Sequence, residues 1–147
     1  MKKTILAISF LACTTCFAEP QDNFKESYSY YGLGGLLPTV SIGHRTKIGY
    51  NDAFDISLSL STIVVVTAAH AHASYLYYHT PNDYLGVGAI FSVADGQHRS
   101  VTAFCPKFTR GWETENTFKE INIGFPQYTS VGKTYVPWIS FNYGWKF

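Results

Sequence analysis

Apolar and polar residues alternate with a period of two along most of this chain. The clearest stretch, residues 54–61, reads FDISLSLS, with Phe, Ile and Leu on one parity and Asp and Ser on the other. Residues 40–50, 84–93 and 139–147 alternate in a similar way. Successive side chains of a β-strand point to opposite faces of the sheet, so this pattern predicts strands with one apolar and one polar face. No segment carries a convincing 3.6-residue stripe, and we therefore predict an all-β fold.

Eight segments have this strand character, and most breaks between them are rich in Gly, Asn, Asp and Pro, as turns require. An even number of antiparallel strands brings both chain ends to one side, and tilted strands of about 9–11 residues cross a bilayer. The sixth segment leaves its path open, because Pro106 interrupts it and neither parity is cleanly apolar. Residues 64–66 fit either a strand or an outer rim. The predicted strands are residues 27–34, 39–50, 54–63, 66–78, 84–93, 100–112, 117–126 and 135–147.

The composition of the two faces favours a membrane barrel. The polar parity is mostly Ser and Gly, which suits a narrow lumen, whereas the large apolar residues suit lipid. The chain is 17% aromatic and only 14% charged, against roughly 25% charged in soluble domains. We predict an eight-stranded antiparallel up-and-down transmembrane β-barrel. An open soluble β-sandwich is the alternative, because alternation alone does not show whether the apolar face contacts lipid or packs into a protein core. The aromatics expected to form membrane-interface belts are Tyr28, Tyr30, Tyr31, Tyr75, Tyr77, Tyr78, Tyr143 and Trp145.

The first 18 residues have the features of a secretory signal peptide. A basic start is followed by an uncharged apolar stretch over residues 4–17, and the small residues before Glu19 predict cleavage after Ala18. A membrane anchor is a weaker alternative, because the apolar stretch is short. Lipidation at Cys13 is another, because FLAC loosely resembles a bacterial lipoprotein cleavage box. The predicted organisation is a signal peptide over residues 1–18, a short segment over 19–26 and the barrel over 27–147.

The charge and cysteine content exclude several other classes. Without the signal peptide the chain has nine basic and ten acidic residues, which leaves no basic field for nucleic acid. Cys105 would be its single cysteine, so a closed sheet must replace disulfides, and we expect this thiol to pack. The glycines at 32–35 and 86–88 lack the Lys-Ser/Thr pair and the helix of a phosphate loop. We expect no cofactor.

The polar parity also predicts which side chains occupy the lumen. An eight-stranded barrel is just wide enough for side chains to fill, so we expect a polar core and no porin channel. In a hairpin centred on Asn51, Lys47 would face Asp55, and we predict a buried ion pair between them. An ion path is the less favoured interpretation of these groups. The predicted lumen residues are Ser41, Arg45, Lys47, Asp55, Ser57, Ser59, His70, His72, Ser74, Glu120 and Asn122.

Two histidines and a serine, His70, His72 and Ser74, share one face of the predicted fourth strand. The triplet at 72–74 resembles the His-x-Ser of the lipid A deacylase barrel, an outer-membrane acyl hydrolase in which His takes the serine proton. Tyr75 stands where that family has asparagine, and the parity turns both side chains away from lipid. His72 and Ser74 are therefore weak catalytic candidates. We expect no metal site, because His70 and His72, even together with His44, do not supply a placed set of three or four zinc ligands.

The last eight residues, SFNYGWKF, carry the most specific motif. Ser140, Tyr143, Trp145 and Phe147 resemble the C-terminal signal of bacterial outer-membrane β-barrels, although Asn142 stands where glycine is usual. The resemblance implies recognition by the barrel-assembly machinery and insertion into the outer membrane of a Gram-negative bacterium. The size and short turns are similar to eight-stranded barrels of the OmpA and OmpX type.

These observations leave three functional hypotheses. The first is a non-enzymatic outer-membrane barrel with a structural or surface-contact role, in contact with outer-membrane lipid and with an unidentified host or surface ligand. The second is a lipid acyl hydrolase that uses His72 and Ser74. The third is a soluble exported β-sandwich that binds a ligand.

Overall fold

The computed structural model describes residues 27–35, 38–63, 66–96, 100–135 and 137–147, and nearly all of them lie in strands. Within these residues no helix is long and apolar enough to cross a membrane. The strands are β1 (Tyr28–Gly34), β2 (Thr39–Lys47), β3 (Asp52–Ile63), β4 (Val66–Thr80), β5 (Asp83–Gly96), β6 (Ser100–Glu113), β7 (Thr117–Gly124), β8 (Gln127–Thr129), β9 (Gly132–Thr134) and β10 (Trp138–Lys146).

Seven of these strands and β10 form a closed antiparallel barrel. Each strand from β1 to β6 pairs with the next, β7 pairs with β10, and β10 pairs with β1 through contacts such as Tyr31 opposite Trp145. The predicted eight-stranded barrel is confirmed, and the β-sandwich alternative is wrong, because closure satisfies the edges that a sandwich leaves open. The predicted signal peptide and the possible lipidation site Cys13 lie outside the described residues.

Strand β6, whose path the sequence left open, runs through Pro106 without interruption. Proline cannot donate a ladder hydrogen bond, so it is tolerated where the neighbouring strand stops pairing. Here β7 ends at Gly124, and the amide of Phe125 donates to the carbonyl of Pro106 at 3.1 Å. Beyond this point the pairing register of β6 changes by one residue, from Lys107 opposite Gly124 to Phe104 opposite Tyr128.

The short hairpin of β8 and β9 was not predicted. The sequence pattern ended the seventh strand at residue 126 and began the eighth at residue 135, whereas the chain forms a second small ladder between them. Strand β8 pairs with the outer part of β6 and so prolongs the barrel wall beyond the end of β7. The wall continues because the register changes by one residue at Phe125, so that β8 pairs with β6 after β7 has ended.

Alternation along the strands separates an apolar outer face from a polar inner face. On β3, the outward residues Phe54, Ile56, Leu58 and Leu60 are 39–61% exposed, whereas the inward Asp55 and three serines are at most 9% exposed. This arrangement is the reverse of a soluble protein, in which large apolar side chains are the buried ones. It is the pattern expected when the outer surface meets hydrocarbon and the interior does not.

The predicted aromatic belts are correct for only part of the tyrosines. Tyr31, Tyr75, Tyr77 and Tyr143 are exposed on the outer face, and Trp145 stacks on Tyr31 with ring centroids 5.3 Å apart. The prediction for the others is wrong, because neighbours in a strand point to opposite faces. The inward-facing, buried members are Tyr28, Tyr30 and Tyr78.

The two ends of the barrel differ in how the interior is packed. We call the end that carries Tyr28 and Lys146 the terminal end, and the opposite end the loop end. In the terminal half, two aromatic rings lie over the glycines that pair with them on the neighbouring strand, Tyr84 over Gly111 and Phe118 over Gly144. A Cβ on Gly111 would lie 2.1 Å from the Tyr84 ring, and one on Gly144 would lie 2.2 Å from the Phe118 ring. These glycines therefore make room for two buried rings in a narrow interior.

Candidate functional site in the barrel lumen

Arg45 occupies the centre of the terminal half of the lumen and is fully buried. Its guanidinium makes three ion pairs, to Asp55 at 3.2 Å, to Glu113 at 3.0 Å and to Glu120 at 2.7 Å. Asp55 is its neighbour on β3, whereas the two glutamates come from β6 and β7. The planar guanidinium fork presents several donors at once, and here it connects strands on opposite sides of the barrel.

Four buried tyrosines complete the hydrogen bonding around these carboxylates. Buried carboxylates need hydrogen bonds to their oxygens, and a tyrosine hydroxyl can donate to the lone pairs that the guanidinium does not reach. The ring of Tyr84 also lies under Arg45, with its centroid 4.6 Å from the guanidinium carbon. The donations are from Tyr28 and Tyr78 to Glu113 at 2.8 and 3.0 Å, from Tyr30 to Asp55 at 3.0 Å, and from Tyr84 to Glu120 at 2.6 Å.

Two lysines balance the charge. The ammonium of Lys146 lies 3.1 Å from Glu113, with the lysine side chain 2% exposed. Lys107 is 5% exposed and has electrostatic interactions with Glu120 and Asp55, but makes no ion pair within 4.0 Å among the described residues. These six side chains, Arg45, Asp55, Lys107, Glu113, Glu120 and Lys146, are called the charge cluster below; its three cations and three carboxylates sum to zero charge.

The predicted ion pair between Lys47 and Asp55 is wrong. The pairing places Arg45 opposite Asp55 and Lys47 opposite Ala53, so the hairpin is centred on residue 50 rather than 51. The tighter turn closes through the amide of Ile48, which donates to the carbonyl of Asp52 at 2.9 Å. Lys47 lies near the terminal end of β2, half-buried, with its ammonium 5.9 Å from the centroid of the Tyr50 ring.

A cavity of about 380 Å³ occupies the loop half of the lumen, next to the charge cluster. Its wall is rich in hydroxyl groups, because the inward parity of β3 is serine at three successive positions. The lining residues are Tyr30, Gly35, Thr39, Ser41, Asp55, Ser57, Ser59, Ser61, His70, His72, Lys107, Phe118, Glu120, Gln127, Pro137, Trp138, Ile139, Ser140 and Asn142.

The two histidines bond serines of neighbouring strands. His72 Nε2 lies 3.0 Å from the hydroxyl of Ser59. His70 lies between two hydroxyls, with Nε2 2.8 Å from Ser61 and Nδ1 2.7 Å from Ser92. Both imidazoles are thus held by cross-strand hydrogen bonds inside the lumen.

The structure does not assemble either chemical site considered from the sequence. Ser74 is buried, and its hydroxyl has no hydrogen-bond partner, so the candidate His72–Ser74 dyad does not form. His44 is on the outer face, where its Nδ1 lies 3.1 Å from the hydroxyl of Ser29, away from the inward His70. Among the described residues no three His, Cys, Asp or Glu side chains are grouped closely enough to hold a metal ion.

The other predicted residues occupy definite positions. Cys105 is buried, with its thiol 3.4 Å from the carbonyl of Pro106. At the C-terminus Ser140 is buried inside, Tyr143 and Phe147 are exposed outside, and Trp145 is half-buried. Of the predicted lumen residues, Arg45, Asp55, Ser57, Ser59, His72, Ser74, Glu120 and Asn122 are buried, and Ser41 and His70 are half-buried at the cavity wall.

Several lumen residues were missed by the sequence pattern. The inward tyrosines were assigned to belts, although the parity of β1 would have turned Tyr28 and Tyr30 toward Arg45. Lys107 and Glu113 lie on β6, where charged residues on one parity and Pro106 on the other hide the alternation. Lys146 lies on the polar parity of residues 139–147, a signal that points inward, but it was not included among the predicted lumen residues.

The chain matches no known protein family and no curated protein. Among solved structures it is similar to the N-terminal β-barrel domain of Pseudomonas aeruginosa OprF. The match has 14% sequence identity and a TM-score of 0.52, and it covers 84% of this chain and 98% of that domain. The two share a fold. The resemblance to eight-stranded barrels of the OmpA type is therefore confirmed as a resemblance of architecture.

Proposed function

We propose that this chain is a non-enzymatic, integral outer-membrane β-barrel protein. The observation that carries the proposal is the inverted distribution of side chains, with apolar residues exposed around the barrel and charges buried inside it. A bilayer removes the cost of exposing that apolar surface, and a closed barrel satisfies every backbone group without water. The likeness in fold to the OprF barrel domain supports the same location.

The charge cluster supports a closed lumen rather than an open channel. Arg45 is fully buried between carboxylates from three strands, and Tyr84 and Phe118 fill the space beside it. Side chains are sufficient to fill a barrel of eight strands. We infer a structural role in the membrane, with barrel-assembly machinery and outer-membrane lipid as partners.

The loop end offers a surface for contact outside the membrane. The β8–β9 hairpin extends the wall on one side, and its turn exposes Val131. Tyr128 and Tyr135, before and after the turn, are also exposed. Such a hairpin is suited to contact a surface or a host ligand, which is the second part of the proposed role.

The hydrolase hypothesis receives no support from the geometry. An acyl hydrolase needs a serine within hydrogen-bond reach of its base, and the substrate here would lie outside the barrel. Ser59, the serine that His72 does contact, is buried in the lumen. Alanine at His72 or Ser74 should therefore leave both the fold and the lipid composition of the host membrane unchanged.

Fractionation combined with a heat-modifiability gel tests the proposal. The chain should sediment with outer membranes, require detergent for extraction, and migrate faster before boiling than after it. In planar bilayers the folded protein should show no steady conductance, because the charge cluster closes its terminal half. A protein that stays soluble without detergent, or that conducts steadily, would contradict the corresponding part of the proposal.

A further inference from the structure

The proposed structural role does not account for the cavity in the loop half of the lumen. We propose that this cavity binds a neutral, polyhydroxylated ligand the size of one or two sugar rings. The inference depends on the lumen alone, so it stands or falls separately from the location of the protein.

The first argument is that two polar groups on the cavity wall make no hydrogen bond within the part of the chain that the structure describes. Lys107 lines the cavity and is 5% exposed; it interacts electrostatically with Glu120 and Asp55, but it makes no hydrogen bond and no ion pair within 4.0 Å among the described residues. The hydroxyl of Ser140, on the same wall, is buried and likewise has no hydrogen-bond partner. Buried polar groups are nearly always satisfied, so these two mark a place where something other than the protein supplies the partner.

The second argument concerns the charge of the ligand. The charge cluster is neutral, with three cations and three carboxylates, and Lys107 is the cation that balances the third carboxylate. An anion at Lys107 would leave the lumen with a net negative charge next to Asp55 and Glu120, which is costly in a low-dielectric interior. A neutral ligand that accepts from Lys107 preserves the balance.

The third argument comes from the mixture of donors and acceptors. The wall combines ammonium, imidazole and hydroxyl donors with carboxylate, amide and hydroxyl acceptors, a set that matches a ligand whose own groups do both. Aromatic rings of Trp138 and Phe118 lie on the same wall, and the C–H face of a pyranose packs against such rings. A volume of about 380 Å³ falls within the roughly 300–1,000 Å³ typical of small-molecule sites.

Access is from the loop end. The cavity lining includes Gly35, just after β1, Gln127, the first residue of β8, and Pro137, just before β10, whereas the charge cluster lies toward the terminal end. A ligand would therefore enter from the side opposite the chain termini.

The test uses the folded chain in an amine-oxide detergent, because a glycosidic detergent would compete. Methyl α-D-glucopyranoside and maltose are titrated and followed by saturation-transfer NMR, and we expect saturable binding of at least one of them. Ser59→Leu, which fills the cavity, should weaken that binding at least tenfold, and Lys107→Met should weaken it as well. Heat modifiability of each variant shows whether it is folded. If Lys107→Met does not fold, the loss of binding in Ser59→Leu alone tests whether the sugar binds in the cavity.

Two buried serines with unpartnered hydroxyls provide a matched control. Ser140 lines the cavity and Ser74 does not. Ser140→Ala should weaken sugar binding several-fold, and Ser74→Ala should leave it unchanged. Absence of saturable binding by both sugars would overturn the proposal, as would equal binding by Ser59→Leu. Binding of inorganic phosphate in place of the sugars would also overturn it, because it would identify an anion site.

Discussion

Replacement of Arg45 by methionine should destabilise the barrel more than any other single change in the charge cluster. The side chain is fully buried and makes three ion pairs of 2.7–3.2 Å. Its removal leaves three carboxylates facing two lysines. Breaking a buried ion pair from one side typically costs about 3–5 kcal/mol, because the remaining charge is uncompensated. We therefore expect the free energy of unfolding to fall by about that amount.

The assay is urea unfolding of the barrel in lipid vesicles, followed by tryptophan fluorescence and by heat modifiability. Lys47→Met is the matched control, because Lys47 lies two residues along the same strand but is only half-buried. Exposed or partly exposed pairs contribute about 0–1 kcal/mol, so this change should have a small effect. Adding Glu120→Gln to Arg45→Met should recover part of the loss, with a coupling of about 1–3 kcal/mol. A loss for Arg45→Met no larger than for Lys47→Met would refute the reasoning.

Three further outcomes are expected. Gly111→Ala should lower the free energy of urea unfolding by about 1–3 kcal/mol, because the new Cβ would lie 2.1 Å from the Tyr84 ring; an unchanged midpoint would show that the ring is free to move. The thiol of Cys105, buried in the barrel, should react with a maleimide at least tenfold more slowly in the folded protein than in urea, and equal rates would place it outside the packed interior. The backbone amide of Phe147 donates to the carbonyl of Ser29 at 2.9 Å, and deletion of Phe147 should slow assembly in cells, as measured by the fraction of protein that becomes heat-modifiable. Normal assembly of the deletion variant would show that Phe147 is not part of the C-terminal assembly signal.

The sequence was sufficient for the number of strands that close the barrel and for the inward or outward direction of most side chains. Both follow from local alternation, and residues 54–61 show it without exception. Strand β6 was harder to interpret, because its inward parity carries Lys107 and Glu113 and its outward parity carries Pro106. Its continuity depends on where β7 stops, which is a property of the neighbouring strand.

The charge cluster could be foreseen only in part. The parity placed Arg45, Asp55 and Glu120 inside, but a shift of one residue in the centre of the β2–β3 turn made the predicted partner Lys47 instead of Arg45. Glu113 and Glu120 lie 68 and 75 positions from Arg45 along the chain, and their contacts exist only because the barrel closes. Local pattern fixes the face of a residue, whereas closure and register fix its partners.

The central claim is that the outward parity of the barrel contacts lipid, and a cysteine scan along β3 tests it most directly. Single cysteines at residues 54–61, in a Cys105→Ser background, are labelled with a fluorophore, and the protein is reconstituted in vesicles that contain brominated lipid. We expect strong quenching at positions 54, 56, 58 and 60 and little at 55, 57, 59 and 61, as their exposure requires. Uniform quenching, or the opposite alternation, would contradict the claim.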